Sequence, residues 1–243
     1  MLMPRPRLYL RDDSHPQARA CAACEVRRSA LFGALDAAGL ERVHVDIAAL
    51  LLAPGERVYA RGEASAAVFT IRAGIVRFER VTAGGARRIV RLAGRGDLIG
   101  AEALLERPYH DEAVACTEVQ LCRIPQALVG ELGGAQAGLL HELMSRWQRA
   151  LDAAEAWAAE LSAGPARLRM LRLLALLDRH RDDDGLIWLP RRDEIGAMLD
   201  MTFETASRLV SRLRREGVLE PLPPRAARVD AGRLAAALVA ADA

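Results

Sequence analysis

The polar side chains with the most informative types and spacing lie between Phe203 and Glu216. This stretch places apolar residues at the i, i+3, i+4, i+7 spacing of one helix face: Ala206, Leu209, Val210 and Leu213. At about 100° per residue, the opposite face carries Glu204, Ser207, Arg208, Ser211 and Arg215, with Arg212 beside it. Arginine can donate two hydrogen bonds to guanine, a carboxylate can accept one from cytosine, and serine can contact either base edge. The pattern therefore predicts a helix able to read DNA bases.

The residues before this helix predict a second, shorter helix and a tight turn. Ile195 and Leu199 lie four apart, as on one helix face. In the Asp200-Met-Thr202 segment, aspartate tolerates the left-handed conformation and Thr202 is a suitable N-cap. A short helix, a three-residue turn and a polar-faced helix together predict a DNA-binding helix-turn-helix. The alternative is a solvated helix face with ordinary salt pairs.

Several arginines around the helix-turn-helix are candidates for phosphate contacts, which hold the protein in register without reading sequence. They are Arg191, Arg192, Arg212, Arg214 and Arg215. After the helix ends at Gly217, the segments Val218–Glu220 and Ala227–Val229 predict a small hairpin, which would make the domain a winged helix. A terminal helix is expected near Ala231–Ala241.

Composition limits the classes of partner and compartment. The chain has 243 residues, enough for two domains, and its net charge of +2 excludes a bulk polyanion binder. No apolar run approaches the ~18–20 residues of a membrane span, and the first residues lack the apolar core of a secretory signal. We therefore expect a cytoplasmic protein without a membrane partner. Because cysteines stay reduced in the cytoplasm, we expect those of this chain to act as metal ligands, sensors or core residues rather than to form disulfides.

The residues before the helix-turn-helix predict a short helix, a region of β-strands and then two more helices. A short helix is expected at Leu31–Val43, and glycine-punctuated β-runs between Leu51 and Pro125 predict an antiparallel barrel or roll. The runs are Val68–Arg72, Ile75–Val81, Arg88–Leu92 and Val119–Ile124. A long helix should follow from about Ala135 to Ser162, and Ala166–Arg179 predicts another amphipathic helix.

The long helix carries an apolar seam with alternating steps of four and three residues, the period of paired helices. Its members are Leu140, Met144, Trp147, Leu151, Ala154, Ala158 and Leu161. The seam predicts a homodimer; the alternative is packing against the chain's own roll.

Five motifs together resemble the CRP/FNR superfamily of bacterial transcription regulators over nearly the whole chain. They are Leu52–Val58 with Gly62-Glu63, Ile71–Val76, Gly94–Gly100, Leu189–Gly196 and Phe203–Arg208. The resemblance implies an α+β fold: an N-terminal antiparallel β-roll like that of cyclic-nucleotide-binding domains (a double-stranded β-helix), a dimerisation helix and a C-terminal winged helix-turn-helix. It implies a cytoplasmic, non-enzymatic homodimer that binds palindromic promoter DNA and works with RNA polymerase. The Glu204–Ser207–Arg208 combination resembles the FNR-like branch, whose half-site is TTGAT, whereas Asp200 replaces the more usual turn glycine.

The same resemblance suggests what the first domain senses. FNR-type sensors hold a 4Fe–4S cluster with four cysteines, and Cys21, Cys24 and Cys122 resemble three of them. Ala30 and Phe32 occupy the place of the missing one, so Cys116 is the candidate substitute. The alternatives are a dithiol switch between Cys21 and Cys24, or buried structural cysteines at 116 and 122. Cyclic AMP is not expected, because the corresponding stretch, Tyr109–Ala113, carries two carboxylates and no arginine.

These expectations divide the chain into a cysteine-bearing segment (1–30), a β-roll sensor domain (31–134), a dimerisation helix (135–164) and a winged helix-turn-helix domain (165–243). A redox-modulated or ligand-modulated transcription regulator fits them best. The competing classes are a cyclic-nucleotide-responsive regulator and a redox protein that uses its thiols or an iron–sulfur cluster directly. An arginine-faced helix-turn-helix argues against the redox protein. The sequence contains no Gly-rich phosphate loop, nucleophile elbow or H-E-x-x-H motif.

Overall fold

The computed structural model describes residues 47–133 and 137–242. The expected short helix at Leu31–Val43 and the first two cysteines lie outside these residues. Within them the chain forms two compact units, one of residues 47–79 and 92–151 and one of residues 80–91 and 152–242. The fold class is confirmed as α+β, with an antiparallel β-roll, helices and a C-terminal helix-turn-helix.

Eight strands form the roll. They are β1 (Ala48–Leu52), β2 (Arg57–Tyr59), β3 (Ala67–Ala73), β4 (Val76–Val81), β5 (Arg87–Ala93), β6 (Leu98–Ile99), β7 (Glu112–Ala115) and β8 (Val119–Pro125). They make two four-stranded sheets, ordered β1-β8-β3-β6 and β2-β7-β4-β5. A 3₁₀ helix at Ala101–Leu105 follows β6. The four β-runs expected from the sequence are β3, β4, β5 and β8, each within one residue at either end.

The turn between β3 and β4 requires glycine. Gly74 has a φ of 87°, and a Cβ there would lie 2.1 Å from the Glu118 carbonyl oxygen. Because β7 and β8 meet at that point, the glycine lets two turns of the roll approach closely. The sequence pattern of evenly spaced glycines therefore reflects a steric need in at least this turn.

Two helices follow the roll: α1 (Gln126–Gly133) and α2 (Ala137–Leu161). A core cluster of Val68, Ile124, Leu128 and Leu139 packs α1 and the start of α2 against β3 and β8, with Leu143 partly buried beside it. One turn later the buried Arg146 donates a 2.7 Å hydrogen bond to the Gly96 carbonyl oxygen and pairs with Glu142 at 2.7 Å. Burial lowers the pKa of this guanidinium.

Besides residues 80–91, which include the end of β4 and most of β5, the second unit contains the elements of the C-terminal part of the chain. They are the last part of α2, α3 (Ala166–Asp178), β9 (Ile187–Trp188), α4 (Arg192–Leu199), α5 (Phe203–Arg215), β10 (Leu219–Leu222), β11 (Ala226–Val229) and α6 (Ala231–Asp242). The strands form a small sheet in the order β10-β11-β9. Buried leucines of α3, among them Leu171, Leu174 and Leu177, contribute to the core of this unit. The expected hairpin is β10–β11, in which Pro221 pairs with Ala227.

Among the described residues, no helix is both long enough and apolar enough to cross a membrane.

Candidate DNA-binding site

The helix-turn-helix is formed by α4, a turn at Asp200–Thr202 and α5. Asp200 adopts the left-handed conformation with a φ of 53°, as expected for this turn. A Cβ on Gly196 would lie 2.6 Å from the Met201 carbonyl oxygen, so the turn folds directly onto α4. Glycine at 196 is therefore needed for the close approach that sets where α5 begins.

Helix α5 has two faces, as the sequence indicates. Thr202 caps its N-terminus by accepting a 3.3 Å hydrogen bond from the Thr205 backbone N–H. Ala206, Val210 and Leu213 are buried, while Leu209 is half-buried. The opposite face brings the expected base-reading side chains together on one surface: Glu204, Arg208 and Ser211 are exposed and Ser207 is half-buried.

The electrostatics of this face suit hydrogen bonding to bases. Hydrogen bonds from its own backbone N–H and from the Thr202 hydroxyl hold the pKa of Glu204 below its ordinary value, and the charge of Arg208 adds to this shift. Glu204 is therefore an ionised acceptor at neutral pH. One turn later Arg208 presents an exposed guanidinium, so the same surface offers an acceptor and a forked donor.

The arginines expected to meet phosphates differ in their surroundings. Arg191 is exposed at the start of α4, and its guanidinium lies 3.5 Å from the carboxylates of both Asp193 and Glu194. Burial lowers the pKa of the half-buried Arg192. Arg212 pairs with Glu216 at 2.8 Å along its own helix, and Glu216 also pairs with Arg167 at 2.7 Å. These two arginines lower the pKa of Glu216. A phosphate contact by Arg212 would have to compete with this carboxylate.

Glu194 holds the start of α4 against the neighbouring hairpin. The sequence places it in the Leu189–Gly196 motif but does not predict this role. Its carboxylate is fully buried and accepts a 2.6 Å hydrogen bond from the Arg191 backbone N–H. It also pairs with Arg225, which precedes β11 and whose guanidinium lies 5.1 Å from the centre of the Trp188 ring. The available sequence signal was a glutamate at the third position of a helix, which commonly caps the first turn.

The cysteines lie in separate places. Cys21 and Cys24 lie outside the described residues. Cys122, on β8, is partly buried against the core cluster beneath α1 and α2. Cys116 follows β7 in the other sheet, is 1% exposed, and accepts a 3.9 Å hydrogen bond from Arg77. In the part of the chain that the structure describes, no three His, Cys, Asp or Glu side chains gather in a way that could hold a metal ion.

The stretch Tyr109–Ala113 packs into the roll through its first residue. The Tyr109 ring stacks on Tyr59 with centroids 3.9 Å apart, and its hydroxyl donates a 2.7 Å hydrogen bond to the Ala67 carbonyl oxygen. Burial raises the pKa of Tyr109. Glu112 pairs with Arg57 at 2.6 Å. The segment thus contributes a buried tyrosine pair and a partly exposed ion pair.

Comparison with known proteins agrees with both halves of this description. The family model of the cyclic nucleotide-binding domain matches residues 50–133, and the family model of the Crp-like helix-turn-helix domain matches residues 168–240. The transcriptional regulator LdrP of Thermus thermophilus is 30% identical over 169 residues, covering 68% of this chain and 83% of LdrP. The chain belongs to the CRP/FNR family of transcription regulators.

One further relative matches most of the chain, and a solved structure shares its fold. The fumarate and nitrate reduction regulatory protein of Salmonella typhi is 24% identical over 226 residues, covering 90% of each chain. The solved structure of FixK2 from Bradyrhizobium japonicum superposes with a TM-score of 0.69 at 24% identity, covering 78% of this chain and 96% of FixK2. The family consists of DNA-binding regulators, so the expectation of a non-enzymatic protein is confirmed by its relatives.

Replacing Glu194 tests whether its buried carboxylate holds the DNA-binding domain together. Glu194→Gln keeps the side-chain size but removes the charge that Arg225 and the Arg191 N–H require. We expect it to lower the free energy of unfolding by about 2–3 kcal/mol, measured by urea unfolding followed by circular dichroism. The control is Asp193→Asn, on the same turn with a side chain 50% exposed, which should cost about 0.5 kcal/mol or less. Equal costs for the two variants would contradict the assignment.

Proposed function

We propose that this regulator binds palindromic DNA with TTGAT half-sites as a homodimer, through the exposed face of α5. The observation that carries the proposal is the two-sidedness of α5. Its apolar stripe is buried in the domain, and its acidic, hydroxyl and basic side chains share one accessible surface. A helix held from behind in this way can enter the major groove with its N-terminal half.

Three side chains have the chemistry to read a G·C pair within a half-site. Arg208 can donate two hydrogen bonds to guanine O6 and N7, and the ionised Glu204 can accept one from cytosine N4. Ser207 lies on the other side of Glu204 from Arg208, at about 100° per residue, and can contact a neighbouring base edge. This combination resembles that of the FNR-like branch, which supports TTGAT over the half-site of the cyclic-AMP branch.

The exposed face of α2 supports the dimer. Leu140, Met144, Trp147 and Leu151 are large apolar side chains on the surface, with Trp147 63% exposed. Ala154 and Ala158 continue the stripe, whereas Leu161 is buried in its own chain and lies outside it. A different stripe, containing Leu139, Leu143 and Arg146, packs on the roll. Because the two stripes are separate, the residues of the seam stay exposed when α2 packs on the roll. The heptad period of the seam favours pairing with α2 of a second copy of the chain.

We further propose that a redox, oxygen or small-molecule signal acts through the roll and that RNA polymerase is the partner on promoter DNA. The name of the Salmonella typhi relative favours a redox signal. Cys122 lies beneath the two helices that lead to the seam, where a change at its thiol would reach α1 and α2. The described residues do not assemble the donor set for a cluster, because no three candidate ligands gather among them. Cys116 follows β7 of one sheet, whereas Cys122 lies on β8 of the other. No step of this mechanism therefore depends on a cluster.

Base reading by α5 is tested with Arg208→Ala on a duplex carrying a TTGAT palindrome. Loss of the bidentate guanine contact should weaken specific binding by roughly 1–3 kcal/mol and relax the preference at that guanine. Arg191→Ala is the control, because losing a phosphate contact should weaken all sequences alike and reduce the salt dependence. Fluorescence anisotropy at several salt concentrations measures both. If Arg208→Ala weakened specific and random duplexes equally, the assignment of the reading face would be wrong.

The dimer seam is tested with Leu151→Asp, which would place two carboxylates against each other in the middle of the seam at a cost of several kcal/mol. We expect a folded monomer that has lost specific DNA binding while keeping its helical content. Ala153→Asp introduces the same charge at an exposed position on the other side of α2 and should remain dimeric. Analytical ultracentrifugation with and without oxygen distinguishes the forms. We expect the wild type to be a dimer in both conditions, because the seam carries no charge that could hold two subunits apart. A monomer in one condition and a dimer in the other would contradict this.

The iron–sulfur hypothesis is tested on protein purified under strict anaerobiosis, by visible absorption with iron and sulfide analysis. If a four-cysteine cluster binds, serine at any one of Cys21, Cys24, Cys116 or Cys122 should abolish the chromophore. Loss with three of these variants but not with Cys116→Ser would exclude the buried thiol beside Arg77 as a ligand. A colourless wild type that cannot be reconstituted would refute the cluster and leave a thiol or small-molecule signal.

A further inference from the structure

Helix α5 begins with a large apolar side chain on the surface. Phe203 is 57% exposed and directly follows the capping residue Thr202. We propose that Phe203 is a specificity-determining residue that packs against the 5-methyl group of a thymine in each half-site. The proposal rests on the proposed function, since it takes α5 as the reading helix and adds an apolar contact to the polar ones.

The position of Phe203 on α5 distinguishes it from an ordinary exposed side chain. It lies in the first turn together with Glu204, and Ser207 and Arg208 follow in the next turn. The N-terminal residues of a recognition helix are the ones that reach base edges. An aromatic ring at that place must lose its water when the helix enters the groove, and it therefore needs an apolar surface to contact.

The major groove offers one apolar feature on its base edges, the thymine methyl group, and phenylalanine is among the side chains that suit it. The polar neighbours of Phe203 favour DNA over a second protein as the occupant. Glu204 and Arg208 would lose their hydration against an apolar protein surface but can hydrogen-bond to bases. The dimer seam proposed above lies on α2 and does not involve this residue.

The angular order of side chains on α5 indicates which base Phe203 contacts. Counted at about 100° per residue, Phe203 lies roughly 40° from Ser207 and roughly 140° from Arg208. Its thymine should therefore lie on the Ser207 side of the half-site and differ from the base pair that Arg208 reads. A half-site with thymines next to its guanine provides such a position.

The test removes single methyl groups from the DNA. A 30-bp duplex is first selected from a randomised pool by the wild-type protein. Each thymine, with its symmetry mate, is then replaced by deoxyuridine, which lacks only the methyl group. For the wild type, one symmetric pair should raise the Kd about fourfold per thymine, or roughly fifteenfold for both, from the free energy of burying a methyl group. Phe203→Ala should bind the thymine and deoxyuridine forms of that pair equally.

Two further variants separate the methyl contact from a general effect. Phe203→Leu keeps an apolar side chain and should retain part of the dependence on the methyl group. Val239→Ala removes another exposed apolar side chain, 74% exposed on α6 in the same unit, and should behave as the wild type. Since Phe203 is exposed, Phe203→Ala should unfold at the wild-type temperature, which thermal circular dichroism checks.

Failure of the Phe203 contact and failure of the proposed function give different results. If Arg208→Ala relaxes the guanine preference but Phe203→Ala keeps the wild-type response to deoxyuridine, the reading helix stands and the role of Phe203 is refuted. A wild type whose binding ignores every methyl group also refutes it. If the wild type selects no sequence from the pool, both the reading helix and the role of Phe203 are wrong.

Discussion

The geometry of the DNA-binding domain depends on one buried charge. The carboxylate of Glu194 is completely removed from water, which is tolerated only when the charge is paired and hydrogen-bonded. The Arg191 N–H sets the first turn of α4 from one side, and Arg225 ties the carboxylate to the β10–β11 hairpin from the other. Arg225 in turn lies over Trp188 of β9, so a single carboxylate links a helix start with two strands of the small sheet.

The position of α5 relative to α4 is set by backbone contacts in the turn rather than by charged side chains. Gly196 lets the turn approach α4, and the left-handed Asp200 reverses the chain within three residues. Helix α5 therefore begins at a defined place, and the burial of Ala206, Val210 and Leu213 sets its rotation about its own axis. That rotation decides which side chains face outward. The reading surface is thus a consequence of packing on the opposite side of the same helix.

The sequence predicted the helices and strands whose apolar residues repeat at a regular spacing within the element itself. The two faces of α5 and the exposed stripe of α2 follow from helical spacing, and the strands with clear alternation, such as β3 and β8, lie within one residue of their expected bounds. The short strands β1, β2 and β7 were missed because three to five residues carry too little pattern, and their pairing with distant strands defines them. Leu161 fits the seam by spacing, yet it is buried within its own chain, and burial by tertiary packing is not visible in a local sequence pattern. Glu194 illustrates the same limit: its role depends on Arg225, thirty-one residues later.

The central claim is that α5 reads guanine in the major groove at two symmetric sites, and methylation interference with dimethyl sulfate tests it most directly. The reagent methylates guanine at N7 in the major groove and adenine at N3 in the minor groove, so the two grooves are distinguished in one experiment. The account predicts interference at one guanine in each half-site, the two half-sites being centred about 10 bp apart, one turn of DNA. Interference confined to adenine N3, or absent from every guanine of a bound duplex, would contradict it.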